Sequence, residues 1–214
     1  ASVLECESRR LVFMEELTGR LASKNPEYMQ NVGGIVGENE GTVAASTYTE
    51  GTKTAESVDT LTSQIFAAIE TGKLPTYAGI NVGGIVGRNV SSGVVTACGS
   101  GSVVAGYQNV GGIAGSNEGE LNYQDTPLVG KWRNVPEEDC IVKGLVVASD
   151  VSAGGIAGTN EQRELTDYQN YANVFAGSLA GGITGANGGI GEYQFTADEA
   201  TNPQAYYEQL FTSN

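Results

Sequence analysis

The stretch Asn81-Val-Gly-Gly-Ile-Val-Gly-Arg-Asn89 carries the pattern GGIxGxN, which occurs five times in the chain. The other four copies lie at residues 31–39, 109–117, 152–160 and 179–187. The first glycines of successive copies are 50, 28, 43 and 27 residues apart: Gly33, Gly83, Gly111, Gly154 and Gly181. Regular self-similarity of this kind is the signature of a repeat architecture, and the two short spacings indicate its basic period.

Short runs of apolar and β-branched residues flank each copy of the pattern. Gly101-Ser-Val-Val-Ala and Gly144-Leu-Val-Val-Ala precede two copies, and Gly41-Thr-Val-Ala-Ala-Ser and Gly93-Val-Val-Thr-Ala-Cys follow two others. Glycine or asparagine separates these runs, and no 3.6-residue period interrupts them. Three short strands per unit predict an all-β fold, a parallel β-helix (β-solenoid) of five to six coils with terminal caps.

Equivalent residues of stacked coils should lie above one another, at a spacing of about 4.8 Å. The isoleucine of the pattern is expected to form an inward ladder: Ile35, Ile85, Ile113, Ile156 and Ile183. The asparagine that closes the pattern is expected to form an amide ladder at a bend, although a polar row that binds a ligand is the alternative. Its members are Asn39, Asn89, Asn117, Asn160 and Asn187.

The two long spacings divide the chain into a regular part and insertions. We expect an N-terminal cap at residues 1–18, the solenoid at 19–194 and a C-terminal cap at 195–214. Insertions at about 44–71 and 122–143 should both fall between the third strand of one coil and the first strand of the next, and so decorate one side. Alternatively, the spacing of 50 residues contains two degenerate coils, with residues 60–70 as a strand or short helix.

Composition and charge exclude several functions. The 214 residues include 11 Lys and Arg against 25 Asp and Glu, a net charge of −14, which disfavours nucleic acid as a partner. Histidine is absent, and with it the Ser-His-Asp, Cys-His and HExxH sites. No apolar run reaches about 18 residues, so we expect no membrane insertion, and no signal peptide is visible. We predict no cofactor and no metal.

Carboxylates cluster at the bends of the predicted solenoid. They are Glu38, Glu40, Glu118, Glu120, Glu161 and Glu164. A calcium stripe needs six to eight converging oxygens, and a glycosidase needs two carboxyl groups at a defined separation. Solvated charges that keep the bends soluble are the simpler interpretation.

Three cysteines are too few for a disulfide framework, and no CxxC is present. Cys98 and Cys140 should occupy nearly the same corner if their coils are neighbours. We expect two stacked buried thiols there, with a disulfide as the alternative. Cys6 has no placed partner.

Aromatic residues provide the candidates for ligand binding, since Tyr and Trp in turns and insertions stack on sugars or anchor partners. The full set is Tyr48, Tyr77, Tyr107, Tyr123, Trp132, Tyr168, Tyr171 and Tyr193. The only tryptophan, Trp132, lies between Lys131 and Arg133 in the second insertion, which also contains Tyr123. The alternative is that these rings attach the insertion to the solenoid.

The pattern GGIxGxN, preceded by GxVxA and followed by GxVxxS, resembles the GLUG motif of bacterial surface and secreted proteins. That motif occurs in filamentous-haemagglutinin-like adhesins and in non-catalytic regions of bacterial immunoglobulin A proteases. The resemblance covers residues 19–194 and implies a right-handed parallel β-helix, secreted or on the cell surface, whose motif residues are structural. The zinc motif of the proteases has no counterpart here, because the chain lacks histidine.

Two classes of function therefore remain. The first is a non-catalytic bacterial surface or secreted module that acts in adhesion or ligand recognition, or as a scaffold of a larger protein. Its partner would be a host or bacterial surface protein or a glycan. The alternative is a carbohydrate-active β-helix enzyme that uses carboxylates.

Overall fold

Short strands that pair in parallel make up most of the part of the chain that the structure describes. The computed structural model describes residues 1–8, 30–48, 63–68, 70–71, 77–101, 103–122, 141–142, 144–161, 165 and 168–188. This part contains 22 strands and a short helix at residues 63–68. The strands form five parallel sheets, so the all-β class with parallel strands is confirmed.

Each sheet contains one strand from each of several repeat units. Sheet 1 contains β3 (Gln30–Gly33), β7 (Ile80–Gly83), β12 (Gln108–Gly111), β17 (Ser152–Gly154) and β21 (Leu179–Gly181). Sheet 2 contains β4 (Val36–Asn39), β8 (Val86–Asn89), β13 (Ala114–Asn117), β18 (Ala157–Asn160) and β22 (Thr184–Asn187). Sheet 3 contains β1 (Ser2–Leu4), β5 (Thr42–Ala44), β9 (Val94–Thr96) and β14 (Glu120–Asn122). Sheet 4 contains β2 (Glu7–Ser8), β6 (Thr47–Tyr48), β10 (Gly99–Ser100), β15 (Ile141–Val142) and β19 (Gln169–Asn170). Sheet 5 contains β11 (Val103–Gly106), β16 (Leu145–Ala148) and β20 (Asn173–Ala176).

The repeat unit has more strands than the three expected. The unit β7–β11 passes through sheets 1 to 5 in order, and β12–β16 passes through them again in the same order. The run after the pattern is split because Ala97, with φ of 52°, turns the chain between β9 and β10. Ala45 and Glu5 turn at the equivalent places with φ of 49° and 52°. Alanine and glutamate rarely adopt this left-handed conformation, so a bend at these residues could not be predicted from the sequence.

The GGI segment is a bend whose backbone is also paired between units. Ile85 N–H donates to the Ile113 carbonyl at 2.9 Å, and Ile113 N–H donates to the Ile156 carbonyl at 2.9 Å. Gly84 N–H likewise donates to the Gly111 carbonyl at 3.2 Å. Because the bend itself is hydrogen-bonded, successive units remain in register from sheet 1 into sheet 2.

Glycine is needed in the pattern because neighbouring backbones come close together. A Cβ on Gly84 would overlap the carbonyl oxygen of Gly112 in the next unit and lie 2.5 Å from Ser100 Oγ. A Cβ on Gly115 would overlap the backbone of Asn81 in the preceding unit. Atoms in real structures do not approach so closely, so any larger residue would push the units apart.

The isoleucine row lies inside the stack of units. Ile85, Ile113 and Ile156 are fully buried, and Ile35 is partly buried against the same core. Ile183, in the last unit, is 42% exposed. The row is therefore an interior ladder through the middle units, and it is open where no described unit follows.

The short helix covers the outer face of sheet 5. Ile65 on this helix is buried against Leu145 and Val147 of β16, whereas Val146 and Ala148 face the main core. The ring of Phe66 meets that of Phe175 edge-on, with 5.1 Å between the ring centroids. Unbroken apolar runs such as 145–148 are typical of strands covered on both faces, and here the helix supplies the second cover.

The two insertions leave the repeat at different places, contrary to the expectation that they share one corner. Residues 44–48 belong to the sheets, so the first insertion lies between β6 in sheet 4 and β7 in sheet 1. The second lies between β14 in sheet 3 and β15 in sheet 4. The alternative of two degenerate coils is wrong, because β3 pairs directly with β7 and β4 with β8.

The described part of the expected N-terminal cap extends the sheets. Ser2–Leu4 pair with Thr42–Ala44, and Glu7–Ser8 pair with Thr47–Tyr48. This segment therefore adds one strand to the end of sheet 3 and one to the end of sheet 4. Residues 9–18 and the predicted C-terminal cap at 195–214 lie outside the described residues.

The isoleucine ladder predicts opposite outcomes for one substitution at two positions. Ile113→Asp places an unpaired carboxylate in a fully buried position and should abolish cooperative folding. Ile183→Asp, at a position that is 42% exposed, should change the free energy of unfolding by about 1 kcal/mol or less. Urea unfolding followed by circular dichroism measures both variants. A soluble Ile113→Asp variant that unfolds like the wild type would contradict the ladder.

Candidate functional site

The asparagines that close the five patterns form one continuous amide ladder. In each step the Nδ2 of one asparagine donates to the Oδ1 of the next, at 2.8, 2.8, 2.8 and 2.9 Å. The ladder runs through Asn39, Asn89, Asn117, Asn160 and Asn187. The first four are buried and only Asn187, at the end, is exposed.

The same amides also hold the bend between sheets 2 and 3. Asn89 Nδ2 donates to the carbonyl of Glu120 at 3.1 Å, and Asn39 Oδ1 accepts from Gly41 N–H at 3.1 Å. The buried amides are thus engaged by neighbouring protein groups. This arrangement is that of a structural ladder, and a ligand would have to break these bonds to use the row.

A second asparagine ladder runs along sheet 1, and the sequence reasoning missed it. Asn109 Nδ2 donates to Asn81 Oδ1, and Asn81 Nδ2 donates to Asn31 Oδ1, both at 2.9 Å. All three residues have positive φ, between 52° and 57°, a conformation that asparagine tolerates better than most residues. The signal was present as the asparagine before Val-Gly-Gly in the first three copies, which Ser152 and Leu179 replace in the last two.

A charge cluster lies on sheet 2 beside the first ladder. Arg88 Nε and Nη2 donate to Glu118 Oε1 at 2.7 and 2.6 Å, and Arg88 Nη1 lies 3.5 Å from Glu38 Oε2. The hydrogen bond with Glu118 is the main reason that the pKa of Arg88 is raised. Asn31 Nδ2 also donates to Glu38 Oε2, at 2.8 Å, and so connects this cluster to the second ladder.

The bend carboxylates are distributed along the surface. Glu40, Glu120 and Glu161 are exposed, and Glu164 lies outside the described residues. Within the part of the chain that the structure describes, no group of three or more Cys, Asp and Glu is arranged to hold a metal ion. Glu38 and Glu118 both face Arg88, so these two carboxylates form ion pairs with one guanidinium group.

Cys98 is a buried free thiol. Its Sγ donates to the Thr96 carbonyl at 3.2 Å, and burial raises the pKa of the thiol to about 12. Cys98 therefore forms no disulfide among the described residues, and the stacked pair of thiols and the disulfide with Cys140 both stay predictions. Cys6 is free and exposed, and Cys140 lies outside the described residues.

The aromatic residues do not form one surface in the described structure. Tyr48 and Tyr168 are buried in the main core, and Tyr77 and Tyr107 are partly buried. Tyr171 is 67% exposed, and its hydroxyl donates to Gln169 Oε1 at 3.0 Å. The predicted ligand-binding residues Trp132, Lys131, Arg133 and Tyr123, together with Tyr193, lie outside the described residues.

Removal of one amide should lower the free energy of unfolding strongly in the middle of the first ladder and only slightly at its end. Asn117→Ala removes two inter-unit hydrogen bonds, the one that Asn89 Nδ2 donates and the one that Asn160 Oδ1 accepts, from the middle of a buried row. We expect the free energy of unfolding to fall by about 2–4 kcal/mol. Asn187→Ala, at an exposed position with one ladder bond, should cost about 1 kcal/mol or less. Equal losses in urea unfolding of the two variants would argue against the ladder.

None of the described helices is long and apolar enough to span a membrane. Comparison of the chain with models of known protein families, with curated proteins and with solved structures gives no match.

Proposed function

We propose that the chain is a non-catalytic repeat module of a bacterial surface or secreted protein, acting in adhesion or ligand recognition or as a scaffold. One observation carries the proposal: the residues that recur in the repeat make contacts between units. The glycines allow close approach of backbones, the isoleucines fill the interior and the asparagines form a ladder. A repeat whose recurring residues serve stacking is what an extended scaffold needs.

The fold belongs to the same proposal, as a right-handed parallel β-helix of five to six coils. Its support is the fixed order in which the chain visits the sheets and the parallel pairing between units. Each coil then contains up to five short strands. Right-handedness is the expected sense, because connections between parallel strands of one sheet are almost always right-handed.

The resemblance of GGIxGxN to the GLUG motif supports a location on or outside a bacterial cell. The net charge of −14 disfavours polyanionic partners such as nucleic acid. A host or bacterial surface protein or a glycan is the class of partner that agrees with both.

Recognition is best assigned to the second insertion. Loops carried by a rigid scaffold are common places for binding residues, and Trp, Tyr and Arg dominate binding energies. The insertion between β14 and β15 includes Trp132, the only tryptophan, beside Lys131 and Arg133. The repeat units, in contrast, use their recurring side chains for contacts with one another.

A screen of the purified chain against glycan and mucin arrays tests this function. Trp132→Ala should reduce binding by about tenfold or more, since a central aromatic anchor contributes at least about 2 kcal/mol. Tyr171→Ala, at an exposed aromatic residue outside the insertion, is the matched control and should bind like the wild type.

Both variants should keep the melting temperature of the wild type, which separates lost binding from lost folding. Binding that survives Trp132→Ala would remove the second insertion from the site. Silence of the wild type on every array would contradict glycan recognition and leave the scaffold role.

A further inference from the structure

Among the residues that the structure describes, the stack of repeat units ends in unpaired strand edges on both sides. In sheets 1 and 2 the last described strands, β21 and β22, pair only with β17 and β18. At the other end, β3 and β4 pair only with β7 and β8. Unpaired strand edges are templates for pairing with another chain.

The two edges carry the same pattern and are complementary. Residues 31–39 form one edge and residues 179–187 the other, and both contain GGIxGxN. In sheets 1 and 2 of the described structure, each copy of the pattern pairs with the next copy along the chain, in parallel and in register. From this we propose that the C-terminal edge of one copy pairs with the N-terminal edge of a second copy, so that the stack continues head to tail.

The described strands at the two ends belong to different sheets, so together they can form one repeat unit. At the start of the chain, β1 and β2 extend sheets 3 and 4 beyond β5 and β6. At the other end, the last described strands, β21 and β22, belong to sheets 1 and 2. Placed next to each other, the two ends supply sheets 1 to 4 of one repeat unit, in the order that the chain follows elsewhere.

At the C-terminal edge, the side chains of both ladders lack the contacts that a further unit would make. Ile183 is 42% exposed, whereas Ile85, Ile113 and Ile156 are fully buried. Asn187 accepts a ladder bond from Asn160 at 2.9 Å but, among the described residues, its own Nδ2 has no acceptor. Continued register would place Ile35 of a second copy beside Ile183 and Asn39 beside Asn187, extending both ladders.

The charges at this contact do not oppose it. The register that pairs Glu38 with Arg88 and Thr159 with Ala186 would place Glu38 of a second copy beside the neutral Ala186. The net charge of −14 still makes whole copies repel one another at low ionic strength. Association should therefore become stronger as salt screens this repulsion.

Ala180 offers a way to block the edge without removing an internal bond. Leu179 N–H donates to the Val151 carbonyl at 2.7 Å, and the Gly181 carbonyl accepts from Gly155 N–H at 3.1 Å. Because successive residues of a strand point their hydrogen-bonding groups to opposite sides, Ala180 presents its N–H and C=O on the open side. Proline there removes the outward N–H and obstructs pairing, and edge strands tolerate it.

Sedimentation velocity of the 214-residue chain over about 1–200 µM tests the proposal, at about 0.05 M and 0.5 M NaCl. The wild type should form dimers and longer oligomers as its concentration rises, more strongly at high salt. Ala180→Pro should raise the dissociation constant by about tenfold or more, whereas the matched control Ala180→Ser, which keeps the N–H, should associate like the wild type. Equal melting temperatures of dilute wild type and variants show that the fold is intact.

Mixing distinguishes head-to-tail pairing from pairing of two identical ends. Labelled Ala180→Pro keeps its N-terminal edge, so it should still join unlabelled wild type and shorten the oligomers. A wild type that stays monomeric over the whole range would overturn the proposal. So would association of Ala180→Pro with itself at wild-type strength, or its failure to join the wild type.

Discussion

The approach of one backbone to the next at the motif glycines is the constraint on which the structure depends. At Gly84 and Gly115 the space for a Cβ is already taken by backbone of a neighbouring unit. Only at this separation do the bends hydrogen-bond from unit to unit, as Ile85 N–H does to the Ile113 carbonyl at 2.9 Å. The isoleucine and asparagine ladders follow, because both require equivalent residues to lie directly beside one another.

With this geometry, the different sheets of a unit have different structural roles. Sheets 1 and 2 contain the recurring pattern and hold the units in register through glycine contacts and amide ladders. Sheet 5 carries unbroken apolar runs, and its outer face is covered by the helix at 63–68, through Ile65. Carboxylates such as Glu40 and Glu161 remain exposed at the bends. The insertions are thereby free to differ from one another, which is where a scaffold can acquire specific binding.

The sequence was sufficient for features that recur at a fixed position. Parallel pairing, the interior place of Ile85, Ile113 and Ile156, and the inter-unit bonds of Asn89 and Asn117 all follow from aligning five copies of one pattern. Repetition is informative here because a residue that recurs at one position in several copies must meet the same structural surroundings in each of them.

Features that occur once, or that depend on backbone conformation, could not be predicted from the sequence. The turns at Ala45 and Ala97 use residue types that seldom adopt positive φ, so five strands per unit were read as three. A strand or short helix was expected at 60–70, where the helix lies, but its place over sheet 5 and the different positions of the two insertions have no second copy for comparison. The pairing of residues 2–8 with sheets 3 and 4 was missed because this segment has strands of the unit but no GGIxGxN.

Alanine at two glycines of the same motif position tests the central claim most directly. A Cβ on Gly84 would overlap the Gly112 carbonyl of the next unit, whereas a Cβ on Gly182 has no heavy atom within 4 Å. Urea unfolding should show that Gly84→Ala lowers the free energy of unfolding by about 2 kcal/mol or more. Gly182→Ala should stay within about 0.5 kcal/mol of the wild type. If Gly84→Ala unfolded at the same urea concentration as the wild type, the units could not be stacked at the separation described.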